Sequence, residues 1–171
     1  MPPLHSHRTT VLRQANFPAD TTALLAIIRE YLDWLNVDAC ARKADRELAE
    51  LETLFSPPSG LFLMAEVDGA LAGCAGLLRH TGTTAELKRV YVRPVHRGLS
   101  LGETLVRQLM ALAPMLGADR LILDAVPPTA FAQGLYRRLG FTETPPYYAD
   151  PAPGTRFFEL HLPTQEPPCS L

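Results

Sequence analysis

The chain has 171 residues, 47% of them hydrophobic and 20% charged, with a formal net charge of −2 and a mean hydropathy of +0.02. That length fits a single domain, residues 1–171, whose core needs neither disulfides nor metal. The charge balance argues against a nucleic-acid binder, which usually needs a basic surface, and no run of about 18 apolar residues offers a membrane span.

Cys40, Cys74 and Cys169 are odd in number and far apart, which suits free thiols in a reducing compartment and so a cytoplasmic location. Met1 to Arg8 has no apolar stretch of signal-peptide length, and Cys169 lacks the three following residues of a prenylation box. The five histidines, at 5, 7, 80, 96 and 161, show no metal-ligand spacing with each other or with the cysteines.

In chain order, Thr9 to Gln14 reads as a first strand, and Pro18-Ala19-Asp20 opens a helical pattern. Leu24, Leu25, Ile27, Ile28, Tyr31, Leu32 and Leu35 recur at three- and four-residue steps, the mark of one apolar helix face. A second helix is expected from about Arg42 to Phe55, with Leu48, Leu51, Leu54 and Phe55 inward and the charges outward, ended by Pro57-Pro58-Ser59-Gly60. Leu61 to Val67 and Ala70 to Arg79 flank Asp68-Gly69, a strong hairpin signal. A further strand runs from Ala85 to Val92. There Leu87, Val90 and Val92 are spaced three then two, which predicts a β-bulge near Lys88 and Arg89.

Leu101, Leu105, Leu109, Leu112 and Leu116 mark the next helix, which Pro114 kinks or closes and Gly117 stops. Arg120 to Asp124 is a short buried strand, and Pro127-Pro128-Thr129 leads into a helix through Phe131, Leu135, Tyr136 and Leu139, capped by Gly140. Phe141 to Tyr148 and Thr155 to Leu162 read as closing strands around the turn at Asp150 to Gly154. Pro163 to Leu171 reads as a frayed tail, leaving about 9–162 as the ordered core. Strand, loop, helix and strand in the centre make a right-handed βαβ unit, so the class is α/β with a mixed sheet.

The richest stretch is Arg93-Pro-Val-His-Arg97-Gly98-Leu99-Ser100-Leu101-Gly102, which joins an apolar strand to an apolar helix. A helix start leaves backbone N–H groups unpaired and carries partial positive charge, so it can hold an anion by main chain alone. Four of the sixteen Lys and Arg residues, Lys88, Arg89, Arg93 and Arg97, fall in this neighbourhood, and Arg97 offers a bidentate donor. A ligand with several negative charges is expected. Glu103-Thr104 follows the last glycine, where a nucleotide-binding P-loop would need Lys-Ser or Lys-Thr.

Two motifs, Val90-Tyr-Val-Arg-Pro94 followed by Arg97-Gly98-Leu99-Ser100-Leu101-Gly102, and Leu135-Tyr136-Arg-Arg-Leu-Gly140-Phe141, are separated by one helix and one strand. In that order they resemble the GNAT superfamily of acyl-CoA-dependent N-acetyltransferases, and the resemblance runs from Thr9 to Leu162. It implies a mixed, mostly antiparallel sheet around the central βαβ unit, preceded by two helices. It also implies acetyl-CoA as acyl-donor cosubstrate and no metal. The diphosphate would lie on Arg97, Gly98, Leu99, Ser100, Leu101, Gly102 and Glu103, and the pantetheine arm along Val90, Tyr91 and Val92. Ser100 stands where the family usually has glycine, and a positive φ there would be less comfortable for serine. Thr129 stands where the family often has an asparagine touching the pantetheine; it fits that contact or a helix N-cap.

Acetyl transfer to an amine needs a base, an oxyanion donor and a proton for the departing thiolate. The resemblance makes Tyr136 the donor to sulfur, against plain packing beside Leu135. A backbone N–H near Val90 or Tyr91 is expected at the oxyanion. Glu86 reads equally as the base and as a solvated partner of Lys88 on the same strand face. Acceptor recognition is expected from Tyr31, Trp34, Tyr147 and Tyr148. Helical spacing also allows Tyr31 and Trp34 a place in the core, and strand alternation would let only one of Tyr147 and Tyr148 face the site. His96 is either a phosphate contact or a solvent-exposed loop residue, and Cys74 a buried small hydrophobe.

The expected partner is a small-molecule or protein amine, with no nucleic acid and no membrane, and with homodimerisation left open. A non-catalytic acetyl-CoA sensor or regulatory subunit is the alternative that Ser100 and Thr129 allow. A nucleotide-dependent enzyme is a third reading.

Overall fold

In the computed structural model, which describes residues 8–163, Asp68 and Gly69 both adopt positive φ, 51° and 81°. That backbone twist suits a two-residue hairpin and turns β2 (Gly60–Val67) back onto β3 (Ala70–Arg79). With β1 (Thr10–Gln14), β4 (Thr84–Val92), β5 (Arg120–Ala125), β6 (Thr142–Glu143) and β7 (Arg156–His161), they form one seven-stranded sheet in the order β1-β2-β3-β4-β5-β7-β6. β4 and β5 pair parallel and every other pair is antiparallel. The crossover between β4 and β5 is α4 (Leu101–Leu112), the expected βαβ unit.

The sheet is covered on both faces, so its central strands are apolar on both sides. On β2, Leu61, Leu63, Ala65 and Val67 join the core under α4, while Phe62 and Met64 point to the other face. That second core is closed by α1 (Thr21–Leu35), which buries Leu24, Ile27, Ile28, Tyr31 and Leu35. Each such aliphatic side chain contributes about 1.5–3 kcal/mol when removed from water, and this holds the helix to the sheet. Close approach also explains Gly76: a Cβ there would lie 2.8 Å from the Phe55 ring and 3.0 Å from the Phe62 ring.

Three expected elements differ. The second helix begins earlier, as α2 (Asp38–Ala49), and breaks at Glu50 before a single turn, α3 (Leu51–Leu54). Asp38 lies in its first turn, where a carboxylate meets the positive end of the helix dipole. The segment after Pro127 is a 3₁₀ turn to Ala132, and only Gln133–Arg138 forms α5. The strand expected from Phe141 to Tyr148 stops at Glu143, because Pro145 and Pro146 have no N–H to give to a ladder. The remaining signals match local geometry: Ala113–Leu116 closes α4 as a 3₁₀ turn, and Gly117 and Gly140 take positive φ at 72° and 96°. The expected frayed tail beyond Pro163, with Cys169, lies outside the described residues, as do Met1 to His7. Among the described residues no helix is long and apolar enough to cross a membrane.

Candidate active site

β4 and β5 are paired only from Thr84 to Glu86 against Arg120 to Ile122. Beyond Glu86 the strands part, β4 continuing to Val92 and β5 to Ala125. The cause lies in β4: Arg89 takes φ 57°, and the register with β3 steps from Gly76↔Lys88 to Cys74↔Tyr91. Arg89 and Val90 therefore share the place opposite Ala75, which is the β-bulge that the spacing predicts, and a bulge bends its strand away from its neighbour. The gap holds a cavity of about 650 Å³.

One end of the cavity is the loop before α4. Gly98 (φ 86°) and Ser100 (φ 57°) are both left-handed, so serine occupies the conformation expected to suit it poorly. The amides of Gly98, Leu99, Ser100, Leu101 and Gly102 make no backbone hydrogen bond to a described residue outside α4, and α4 itself cannot satisfy its first turn. The Ser100 side chain forms no cap, and its carbonyl accepts from the Thr104 amide and hydroxyl. Arg97 folds back over the mouth: its Nε donates to the Val92 carbonyl at 3.2 Å, and its guanidinium lies 5.1 Å from the Trp34 ring and 5.8 Å from the Phe131 ring. Both ring faces attract the cation.

At the centre stands Tyr136, only 6% exposed, wedged by the rings of Phe141 and Phe158. Its hydroxyl donates to no described residue, and it lines the cavity. Burial, then the negative charge of Asp124, pushes its pKa up, so it keeps its proton.

The far end is ionic. Glu86 accepts a hydrogen bond from the Tyr147 hydroxyl at 2.9 Å, and the Lys88 ammonium lies 3.9 Å away. Burial raises the Glu86 pKa; Lys88 opposes that and Asp124 adds to it. Across the gap, Asp124 at the end of β5 accepts from the Tyr148 hydroxyl at 2.6 Å, and the Lys43 ammonium sits 3.8 Å over the Tyr148 ring. Glu47 of α2 receives Lys88 at 2.9 Å and Arg89 at 2.9 Å.

Of the residues that the sequence singles out, Glu86, Val90, Tyr91, Val92, Arg97, Gly98, Ser100, Leu101, Gly102, Thr129, Tyr136, Tyr31, Trp34, Tyr147 and Tyr148 all line this one cavity. Leu99 and Glu103 do not line it. Each helical residue turns about 100° from the last, so Gly102 faces Val92 while Glu103 turns toward Arg107 and Arg138. Tyr147 and Tyr148 both face the site, because the chain there is a loop and strand alternation does not apply. Tyr31 is both core and lining, stacked on Trp34. Thr129 is no N-cap; its hydroxyl donates to the Val126 carbonyl at 2.8 Å. His96 lies off the cavity, with Nδ1 buried and without a partner among the described residues.

The sequence pattern assigns no site role to Asp124, Lys43 or His80, which line the cavity, or to Glu47, which pairs with Lys88 and Arg89 beside it. Asp124 had a readable signal, a lone carboxylate closing an apolar strand beside the crossover. Among the described residues no group of three or more His, Cys, Asp or Glu could hold a metal ion.

A helix start with unpaired amides and a buried phenol thus meet around the gap of a parted parallel pair. The sequence model of the acetyltransferase (GNAT) family matches residues 25–141, and the chain belongs to that family; it is an acyltransferase. An uncharacterized N-acetyltransferase of Schizosaccharomyces pombe is 33% identical over 147 residues, 85% of this chain and 90% of that protein. An acetyltransferase of the GNAT family from Staphylococcus aureus superposes with a TM-score of 0.75 at 20% identity, over 91% of this chain and 100% of that one. A Salmonella typhimurium protein solved with its cofactor acetyl-CoA gives a TM-score of 0.69 at 25% identity, over 95% and 99%.

Proposed function

We propose that this chain is an N-acetyltransferase, one domain that transfers acetyl from acetyl-CoA to a primary amine of a small molecule or protein by direct attack in a ternary complex. We place it in a reducing, cytoplasmic setting, in keeping with free Cys40 and Cys74. The observation that carries this reading is that unpaired loop amides, an unpartnered tyrosine hydroxyl and a partly buried carboxylate share one cavity. The donor fits these residues: the amides of Gly98 to Gly102 suit a pyrophosphate, and the stretch of β4 freed from β5 suits an extended amide-bearing arm.

Bound acetyl-CoA would supply a thioester carbonyl open to attack and a thiol leaving group of pKa ~8.5, by analogy with cysteine. The residues of the chain do the rest. Glu86 accepts a proton from the acceptor ammonium, directly or through water, so that the nitrogen lone pair is free. A backbone N–H of Val90 or Tyr91 at the bulge faces the carbonyl oxygen as negative charge grows on it. As the C–N bond forms and the C–S bond breaks, Tyr136 gives a proton to sulfur; the second proton shed by the acylated nitrogen returns to the Tyr136 oxygen through water, and Glu86 releases the first to solvent. No Cys–His or Ser–His pair is needed, since the amine attacks the thioester itself.

The test is to mix the purified chain with acetyl-CoA and a panel of small primary amines and peptide amines, and to follow thiol release. Amine-dependent release supports the reading. Tight binding of acetyl-CoA in a calorimeter with no release on any amine would replace catalysis by sensing.

A further inference from the structure

The mechanism leaves Lys88, Arg89 and Glu47 unused, yet they are among the most enclosed charges in the molecule: their side chains are 22%, 10% and 8% exposed. A helix surface charge would ordinarily face water, and the pattern of α2 predicts as much for Glu47. Instead Glu47 points at the sheet and divides its two oxygens, Oε2 to Lys88 Nζ and Oε1 to Arg89 Nε, each at 2.9 Å. Burying three ions costs more than their pairing returns unless geometry and neighbours are very good, so packing alone is a poor reason for them. Their place is more telling. Arg89 is the bulge residue with φ 57°, and Lys88 stands beside it with its ammonium between Glu47 at 2.9 Å and Glu86 at 3.9 Å.

We propose that Glu47 and Lys88 are positioning residues for Glu86: Glu47 anchors the ammonium of Lys88 at a fixed distance from the Glu86 carboxylate and thereby sets how readily that carboxylate takes a proton. This rests on the reading of Glu86 as base. Two opposing demands explain the arrangement. Without Lys88, a carboxylate in this cavity would hold its proton too firmly to take one from an amine, because burial and Asp124 both disfavour its charge. With Lys88 bound to Glu86 alone, the carboxylate would be too weak a base. Glu47 draws the ammonium off to 3.9 Å, an intermediate setting. The other groups facing Glu86 are Tyr147 from the loop after β6, Asp124 from β5 and His80 from the end of β3, and none of them touches Glu47.

The acid limb of the kcat/KM profile reads the base in free enzyme. Lys88→Met should move that limb up, by on the order of one pH unit for an opposite charge lost at this range. Glu47→Gln should move it down, since it removes a negative charge and leaves Lys88 free to close on Glu86. Unchanged affinity for coenzyme A, measured by calorimetry, keeps each variant comparable as a folded protein. Opposite shifts support the proposal. Shifts of the same sign, or uniform loss of rate with the limb unmoved, overturn it. Glu86→Gln separates the two ideas: if the limb survives in that variant, Glu86 is not the base and this proposal falls with that reading. If the limb vanishes there but stays put in Lys88→Met and Glu47→Gln, only the positioning role falls.

Discussion

The Tyr136 hydroxyl has no partner among the described residues, so removing it should cost chemistry rather than stability. Tyr136→Phe keeps the ring that packs on Phe141 and Phe158. We expect kcat to fall by roughly 10²-fold, the lower range for losing a general acid, with the KM for acetyl-CoA and the urea midpoint nearly unchanged. Steady-state kinetics beside a denaturation curve checks both halves, and unchanged turnover would remove Tyr136 from the mechanism. Ser100 is the converse case, a residue whose change should cost nothing. It holds φ 57°, a conformation that costs a residue with a Cβ about 1–2 kcal/mol. Ser100→Gly relieves that strain but loosens the unfolded chain, leaving a net gain of about 0.5–1 kcal/mol, read as a higher urea midpoint. Because its side chain caps nothing, no hydrogen bond is lost.

Between elements, β1 is tied to the start of α1 by Arg13, which gives Asp20 two hydrogen bonds at 2.7 and 2.9 Å and Glu66 of β2 one at 2.9 Å. The Arg13 guanidinium, and then the Asn16 amide, hold the Asp20 carboxyl down at about 2. A carboxyl with a folded pKa below its unfolded value stabilises at pH above the unfolded value, near 4, and that contribution fades as pH falls toward 2. Arg13 is 37% exposed, so solvent screening reduces the contribution to about 1 kcal/mol. Asp20→Asn should therefore lower stability by that amount at pH 7, and the gap to the wild type should close between pH 4 and pH 2. Urea midpoints across that range test it.

Elements governed by local backbone chemistry were legible in the sequence: the Asp68-Gly69 hairpin, the bulge at Arg89 and the glycine stops at Gly117 and Gly140 all follow from residues close together. Glu47 was not, because helical periodicity sends a charge outward, and the cations that reverse this lie 41 and 42 residues further on. Asp124 and Tyr148 likewise meet only through the fold, since Tyr148 sits on a loop where the residue pattern predicts a strand.

For the whole molecule, the parted strands β4 and β5 join two cores that lie on opposite faces of the sheet, so a ligand in the gap touches both. Val90, Val92 and Tyr136 pack on one core, and Tyr31, Trp34 and Tyr91 on the other. Binding there must stabilise global folding rather than a single loop. At about 100 times its Kd, a ligand specific for the native state adds about 2.7 kcal/mol. For a domain of this size, that raises Tm by roughly 5–10 °C. Acetyl-CoA should produce that shift. ATP can use the amides of Gly98 to Gly102 but has no arm to lie along the free edge of β4, so at equal concentration its shift should be much smaller. A thermal melt with each ligand decides the matter: an ATP shift equal to that of acetyl-CoA would mean that the cradle alone binds and that the gap between the strands is not the donor's channel.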